Sequence, residues 1–157
     1  MYRIRFHGRG GQGVKTASRI LGSAFFLEDF EVQDAPRYGA ERRGAPIFAY
    51  VRASRQPILE RGVITHPDLV VVIDETLLAL PAAGALEGIT ESTVLLVKTS
   101  RDPAALRAEL KIAGRLLPFP PLESGAGALP LIAAAGAGAA ARLTGAISEQ
   151  ALARAIA

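Results

Sequence analysis

Cysteine and tryptophan are absent from the 157 residues, and methionine occurs once. Without thiolates the sequence offers no ligand set for an iron–sulfur cluster, no cysteine zinc site and no disulfide. Any redox centre that works with it is expected on another chain or in a bound organic cofactor. The 2 histidines, His7 and His66, are far apart and lack metal-ligand spacing. Aromatic residues make up 6% of the chain and do not form the aromatic-rich, arginine-interleaved motif of an RNA-binding sheet, so nucleic acid is not an expected partner. Long apolar runs are missing too. The most lipid-like stretch, 126–141 "AGALPLIAAAGAGAAA", has Leu129, Leu131 and Ile132 as its strong apolar residues and is broken by Pro130 and glycines. A membrane span needs about 20 apolar residues, so this stretch reads as a tightly packed helix and no membrane segment is expected. The opening "MYRIRFHGRGG" has no apolar core of signal-peptide length, which points to the cytoplasm. No catalytic triad, nucleophile elbow or metal cluster stands out.

What is present is a globular composition, 50% hydrophobic and 21% charged with a formal charge of +3, suited to one domain over residues 1–157. Tyr2–His7 reads as a strand. From Gln12, the residues Val14, Ala17, Ile20, Leu21, Ala24 and Phe25 recur at helical spacing to about Leu27. A short strand is expected at Glu31–Gln33, then a long loop, Asp34–Pro46. Ile47–Ala53 alternates as a strand, and Asp68–Asp74 is a continuous apolar run typical of a strand buried on both faces. The order continues with a helix at about Glu75–Ala85, a strand at Thr93–Thr99, and a helix from Asp102 to about Ala113, with Asp102 capping and Pro103 at the first position. A strand at Arg115–Pro118, a helix around Leu129–Leu143 and a last helix, Ser148–Ile156, complete it. Alternating strands and helices predict a three-layer, Rossmann-like α/β domain with a mainly parallel sheet and helices on both faces.

The stretch "GRGGQG", Gly8, Arg9, Gly10, Gly11, Gln12 and Gly13, lies between the first strand and the first helix. Glycines there permit left-handed backbone, let a ligand approach bare backbone, and leave helix-start N–H groups pointing outward with about half a positive charge. Arg9, Lys15 and Thr16 are placed to assist an anion. The G-x-G-x-x-G match alone leaves three readings open: a tight packed turn, an anion site, or a nicotinamide site. The last also wants an acid closing the second strand; Glu31 and Asp34 are roughly placed, but neither closes a clean apolar strand. A second cluster of charge, Arg37, Arg42 and Arg43, falls in the long loop, where Glu41 and the arginines are as consistent with surface or interface ion pairs as with a ligand. Asp74, at the tip of the buried strand, reads as a cap or turn residue placed where open α/β sheets bind ligands.

Taken together, "GRGGQG" and "PRYGAERRGAP" resemble the gamma subunit or domain of the 2-oxoacid:ferredoxin (acceptor) oxidoreductases, a family including the pyruvate, 2-oxoglutarate, ketoisovalerate, indolepyruvate and arylglyoxylate enzymes. The second motif is carried by Pro36, Tyr38, Gly39, Glu41, Arg43, Gly44 and Ala45. A small-residue helix, Leu143–Gly145 and the short last helix extend the likeness over nearly the whole chain. It departs at Ala133, where members often carry Asn. The resemblance implies a multi-subunit enzyme that oxidatively decarboxylates a 2-oxoacid to an acyl-CoA. Thiamine diphosphate with Mg2+ and [4Fe–4S] clusters would belong to partner alpha, beta and ferredoxin-like subunits, with a flavin/NAD electron-transfer subunit as a further partner. This chain would support assembly and share a coenzyme A site. Gly8, Arg9, Gly10, Gly11, Gln12, Gly13, Lys15, Tyr38, Arg42 and Arg43 are the candidate contacts. An autonomous NAD(P)-binding oxidoreductase and a purely structural adaptor are the alternatives.

Overall fold

The computed structural model describes residues 1–37, 44–119 and 128–157. Its centre is a 6-stranded sheet in the order β2-β3-β1-β4-β5-β6. The strands are β1 (Tyr2–Arg9), β2 (Glu31–Arg37), β3 (Pro46–Ser54), β4 (Leu69–Val72), β5 (Val94–Lys98) and β6 (Arg115–Phe119). The helices are α1 (Val14–Phe26), α2 (Pro103–Glu109), α3 (Ala128–Thr144) and α4 (Glu149–Ile156). The ladders β1–β4, β4–β5 and β5–β6 are parallel. Strand β3 runs against both of its neighbours, so the sheet is mixed, with β3 as its one reversed strand.

Sequence pattern explains the layers. Alternate residues of the sheet, Ile4, Phe6, Ala49, Val51, Leu69 and Val71, face α1 and α3 and join the buried Leu21, Phe25, Ala133 and Ala137 in one core cluster. The intervening residues Val70, Val72, Leu95 and Val97 face the other way and pack with Leu106 of α2, Ile112 and Leu116. A strand with both faces covered must be apolar at every position, which is why β4 is an unbroken apolar run. Helix α3 lies close to the sheet because its contact residues are small: a Cβ built on Gly136 would stand 3.7 Å from Val71. Over β1 and β3 the second face is covered by the segment 58–64. Buried Arg5 donates from its guanidinium to the carbonyls of Ile64, Ala85 and Glu87, Arg52 donates to that of Gly62, and Arg3 and Arg52 pair with Glu60.

Three elements differ from the sequence pattern. The segment expected as a helix over 75–85 forms two 3-10 turns, Glu75–Ala79 and Pro81–Ala83, because Pro81 has no N–H to continue a helical ladder. Helix α2 stops at Glu109, with Lys111 at φ 51; the Arg107 guanidinium turns back to the carbonyls of Ile112, Ala113 and Gly114 and closes that end. Strand β2 extends to Arg37, so part of the expected Asp34–Pro46 loop is paired with β3.

Candidate functional site: a glycine loop and its lock

Strand β1 is hydrogen-bonded on both sides, to β3 and to β4, and it carries Gly8 and Arg9 to the carboxyl edge of the sheet. The chain leaves β1 toward β3 and β2 and returns as β4 on the other side of β1. The ends of β1 and β4 therefore flank the switch point at which open α/β sheets bind ligands.

After Arg9 the chain turns through Gly10–Gly13 and enters α1 at Val14. Gly13 is the N-cap, in the left-handed region at φ 79, and no side chain caps the helix. Gly8 is required by space: a Cβ there would meet the Val14 side chain at 2.5 Å. That contact seats the start of α1 directly on the strand. The first turn of α1 contains no acidic residue, so nothing on the helix itself offsets the positive end of its dipole. Among the described residues, no acceptor receives the Gly11 or Gly13 N–H. The sequence motif thus places two amides, of Gly11 and Gly13, without a described acceptor at the start of α1, with Lys15 in the first helical turn.

The side chains of the loop form a closed ring of hydrogen bonds with Asp74, just beyond β4, and with Thr76 in the turn that Asp74 caps. The Arg9 N–H donates to Gln12 Oε1 at 2.7 Å. Gln12 Nε2 donates to Asp74 Oδ2 at 2.9 Å, and Arg9 Nε donates to the same oxygen at 3.1 Å. Thr76 donates its N–H and hydroxyl to Asp74 Oδ1, and Arg9 Nη2 reaches Thr76 Oγ1 at 2.9 Å. Burial pushes the Asp74 carboxyl up, but the hydrogen bonds from Thr76 and Gln12 and the charge of Arg9 outweigh it and hold the group below its ordinary value. Asp74 is the predicted cap, since it accepts from the Thr76 N–H at the start of a 3-10 turn, and it is also the anchor of the glycine loop.

The end of the second motif is tied to the same place. Gly10 donates to the Ala45 carbonyl at 2.9 Å, Gly44 donates to the Gly10 carbonyl at 3.3 Å, and Arg9 Nη1 donates to the Gly44 carbonyl at 3.1 Å. Two motifs some thirty residues apart in sequence therefore meet in one site. Of the residues expected to act there, Gly8–Gly13 and Lys15 are gathered at the start of α1, while the Arg9 guanidinium is turned inward to Asp74, Thr76 and Gly44. Tyr38, Arg42 and Arg43 lie outside the described residues. Sequence reasoning missed Thr76 and the locking role of Asp74. The available signal was an acid ending an apolar strand that adjoins a glycine loop.

The topology bears on the nicotinamide reading. In dinucleotide folds the strand beside the glycine loop ends in an acid that holds a ribose. Here that neighbour is the reversed strand β3, which places Pro46 and Ile47 opposite Arg9 and Gly8. Glu31 lies at the far end, opposite Ser54, and Asp34 sits in mid-strand opposite Val51, its carboxyl raised by desolvation beside α1. Neither acid reaches the ribose position. A separate cavity of ≈450 Å³ lies on the opposite face of β1, walled by Arg5, His7, Phe48, Tyr50 and Ile64. Among the described residues no group of three or more His, Asp or Glu side chains is arranged to hold a metal, and no helix is long and apolar enough to cross a membrane.

Residues 3–157 match the family described as pyruvate ferredoxin/flavodoxin oxidoreductase. The common gamma subunit of the pyruvate/ketoisovalerate oxidoreductases of Pyrococcus furiosus is 42% identical over 111 residues, which is 71% of this chain and 59% of the relative. The chain therefore aligns with little more than half the length of that protein. The crystal structure of pyruvate oxidoreductase subunit PORC from Thermotoga maritima superposes with a TM-score of 0.74 at 35% identity, covering 96% of this chain and 80% of that one. A 2-oxoglutarate:ferredoxin oxidoreductase from Magnetococcus marinus, solved with 2-oxoglutarate, coenzyme A and succinyl-CoA, shares the fold with a TM-score of 0.75 at 19% identity, covering 98% of this chain and 26% of the larger one.

Proposed function

Because the chain belongs to the pyruvate ferredoxin/flavodoxin oxidoreductase family, we propose that it is the gamma-type subunit of a cytoplasmic 2-oxoacid:acceptor oxidoreductase and that its glycine loop contributes to binding coenzyme A. The observation that carries the ligand reading is the uncapped start of α1, where the first turn has no acid and the Gly11 and Gly13 amides lack acceptors among the described residues. Amides converging at a helix start suit a phosphate, through direct hydrogen bonds and the helix dipole, and coenzyme A carries several phosphates. Lys15 adds a cation within the first turn.

The division of labour follows from the residues present. The 157 residues contain no Cys, and in this reading any thiolate-held clusters lie on partner chains. When bound in the partner alpha and beta subunits, thiamine diphosphate with Mg2+ supplies the decarboxylation chemistry and the clusters carry the electrons away. This chain orients the acyl acceptor, through the Gly11 and Gly13 amides and Lys15, and leaves bond-making to its partners. The PORC likeness and the gamma-subunit relatives support this assignment. The reversed strand β3 argues against the alternative of an autonomous nicotinamide enzyme.

The test uses the native assembly purified from its source. Coenzyme A is expected to slow amide exchange across residues 10–16. Lys15→Ala is expected to raise the KM for coenzyme A about three- to tenfold, the loss of one charge-assisted contact, with oxoacid-dependent dye reduction in the absence of coenzyme A unchanged. Exchange and KM both insensitive to these changes would leave a structural adaptor as the better reading.

A further inference from the structure

Asp74 sits across the switch point from the glycine loop, and both of its oxygens are engaged. Oδ2 accepts from Arg9 Nε and Gln12 Nε2, and Oδ1 accepts from the Thr76 N–H and hydroxyl. A carboxylate has about four lone-pair sites, so this one has no acceptor capacity left for a ligand. We infer that Asp74 is the positioning residue of the glycine loop: through Arg9 and Gln12 it sets the directions of the loop amides, and neither it nor Arg9 contacts the ligand. The inference deepens the coenzyme A reading and rests on it only for the identity of the ligand.

Three features carry it. The hydrogen bonds close on themselves, from the Arg9 backbone to Gln12 Oε1, from Gln12 Nε2 to Asp74, and from Asp74 back to the Arg9 guanidinium. A ring with both ends on the loop fixes the backbone between Arg9 and Gln12, and with it the N–H groups of Gly11 and Gly13. The guanidinium is also a strut from the loop to two other segments of chain: Nε and Nη2 hold Asp74 and Thr76 of the turn after β4, and Nη1 holds the Gly44 carbonyl. Its charge is matched by Asp74 at 3.1 Å, so the pair presents little net charge to an incoming anion. The positive character of the site then comes from the end of α1, and affinity depends on how well the amides are preorganised.

The experiment compares Asp74→Ala, Asp74→Asn, Arg9→Ala and the Asp74→Ala/Arg9→Ala pair in the native assembly. Two quantities are read: amide exchange of residues 9–14 without ligand, and the coenzyme A KM against kcat. Asp74→Ala should speed loop exchange and raise the KM about tenfold, while dye reduction without coenzyme A is retained. Asp74→Asn keeps an acceptor oxygen and should rescue most of both effects. Arg9→Ala should resemble Asp74→Ala, and the double variant should be no worse than either single, because both break one ring. Additive losses would mean that Arg9 meets the ligand itself, and unchanged exchange in Asp74→Ala would mean that the ring does not hold the loop; either result overturns the inference. If coenzyme A fails to protect the wild-type loop while Asp74→Ala still loosens it and Asp74→Asn restores it, the ligand reading falls and the positioning role stands.

Discussion

His7 stands one residue before the glycine loop, with 3% of its surface exposed. Burial, with Arg5 beside it, drives its pKa down to about 3 despite a hydrogen bond to the Ala83 backbone. The ring is therefore neutral in the folded chain at every ordinary pH, whereas in the unfolded chain it titrates near 6.5. Between those two values the unfolded state binds the extra proton, so acidification favours unfolding: the stability contributed by the neutral ring is complete above about pH 6.5 and is lost as pH falls toward 3. Replacing His7 by Gln removes this titration. The urea midpoint of the wild type should drop more steeply between pH 7.5 and 5 than that of His7→Gln, and parallel pH profiles would contradict the assignment. The same residue marks a limit of sequence reading. A lone His inside an alternating strand gives no sign of which face it takes, and it is the placement of Phe48 on β3 and of the turn at Ala83 that covers it.

At the scale of the element, α3 is the most demanding packing unit. Ala133, Ala137, Ala140 and Ala141 are buried against the sheet and α1, and small side chains there set the distance between layers. Ala137→Leu should destabilise the chain by about 1–3 kcal/mol through overpacking, while Leu131→Ala on the same helix, at a position 61% exposed, should stay within about 0.5 kcal/mol. Chemical denaturation of the two variants provides the check, and equal effects would refute this packing arrangement. Helix α1, strand β4 and the capped helix α2 were legible because each carries a local cause: helical periodicity, an unbroken apolar run, or Asp102 accepting from the Ala105 N–H. The 3-10 turns at 75–83 were misjudged because apolar spacing outweighed Pro81. Strand β2 was cut short because Asp34 and Pro36 look like loop residues, although an edge strand tolerates both. With β2 ending at Arg37 and β3 starting at Pro46, the connection 38–45 is too short for a parallel crossover, which needs about a dozen residues. The reversal of β3 follows from that boundary and from nothing within β3 itself.

For the whole molecule, the position of β3 decides which ligands the switch point can take. The fold has the strand–glycine loop–helix unit of a dinucleotide site, but a reversed strand occupies the place where the ribose-holding acid would be. Titration of the isolated chain with NADH or NADPH should therefore give no saturable binding at concentrations up to about 1 mM, well above the micromolar range of specific cofactor sites; binding in the micromolar range would restore the autonomous oxidoreductase. The glycine motif was visible from the first strand onward, yet its partners were not. Gly44, Ala45, Asp74 and Thr76 approach it only through tertiary folding, and no spacing along the chain announces a ring of hydrogen bonds closed through Asp74.

Strand β1 adjoins β3 on one side and β4 on the other, and its last two residues are the first two of the glycine motif. The floor of the glycine loop thus belongs to the region of the sheet with paired neighbours on both edges, where opening exposes the most backbone and is least frequent. Most binding loops hang from the parts of a protein that loosen first. Here the backbone of the glycine loop is continuous with a strand paired on both sides, so warming or mild denaturant short of global unfolding is expected to leave the loop's anchorage in place.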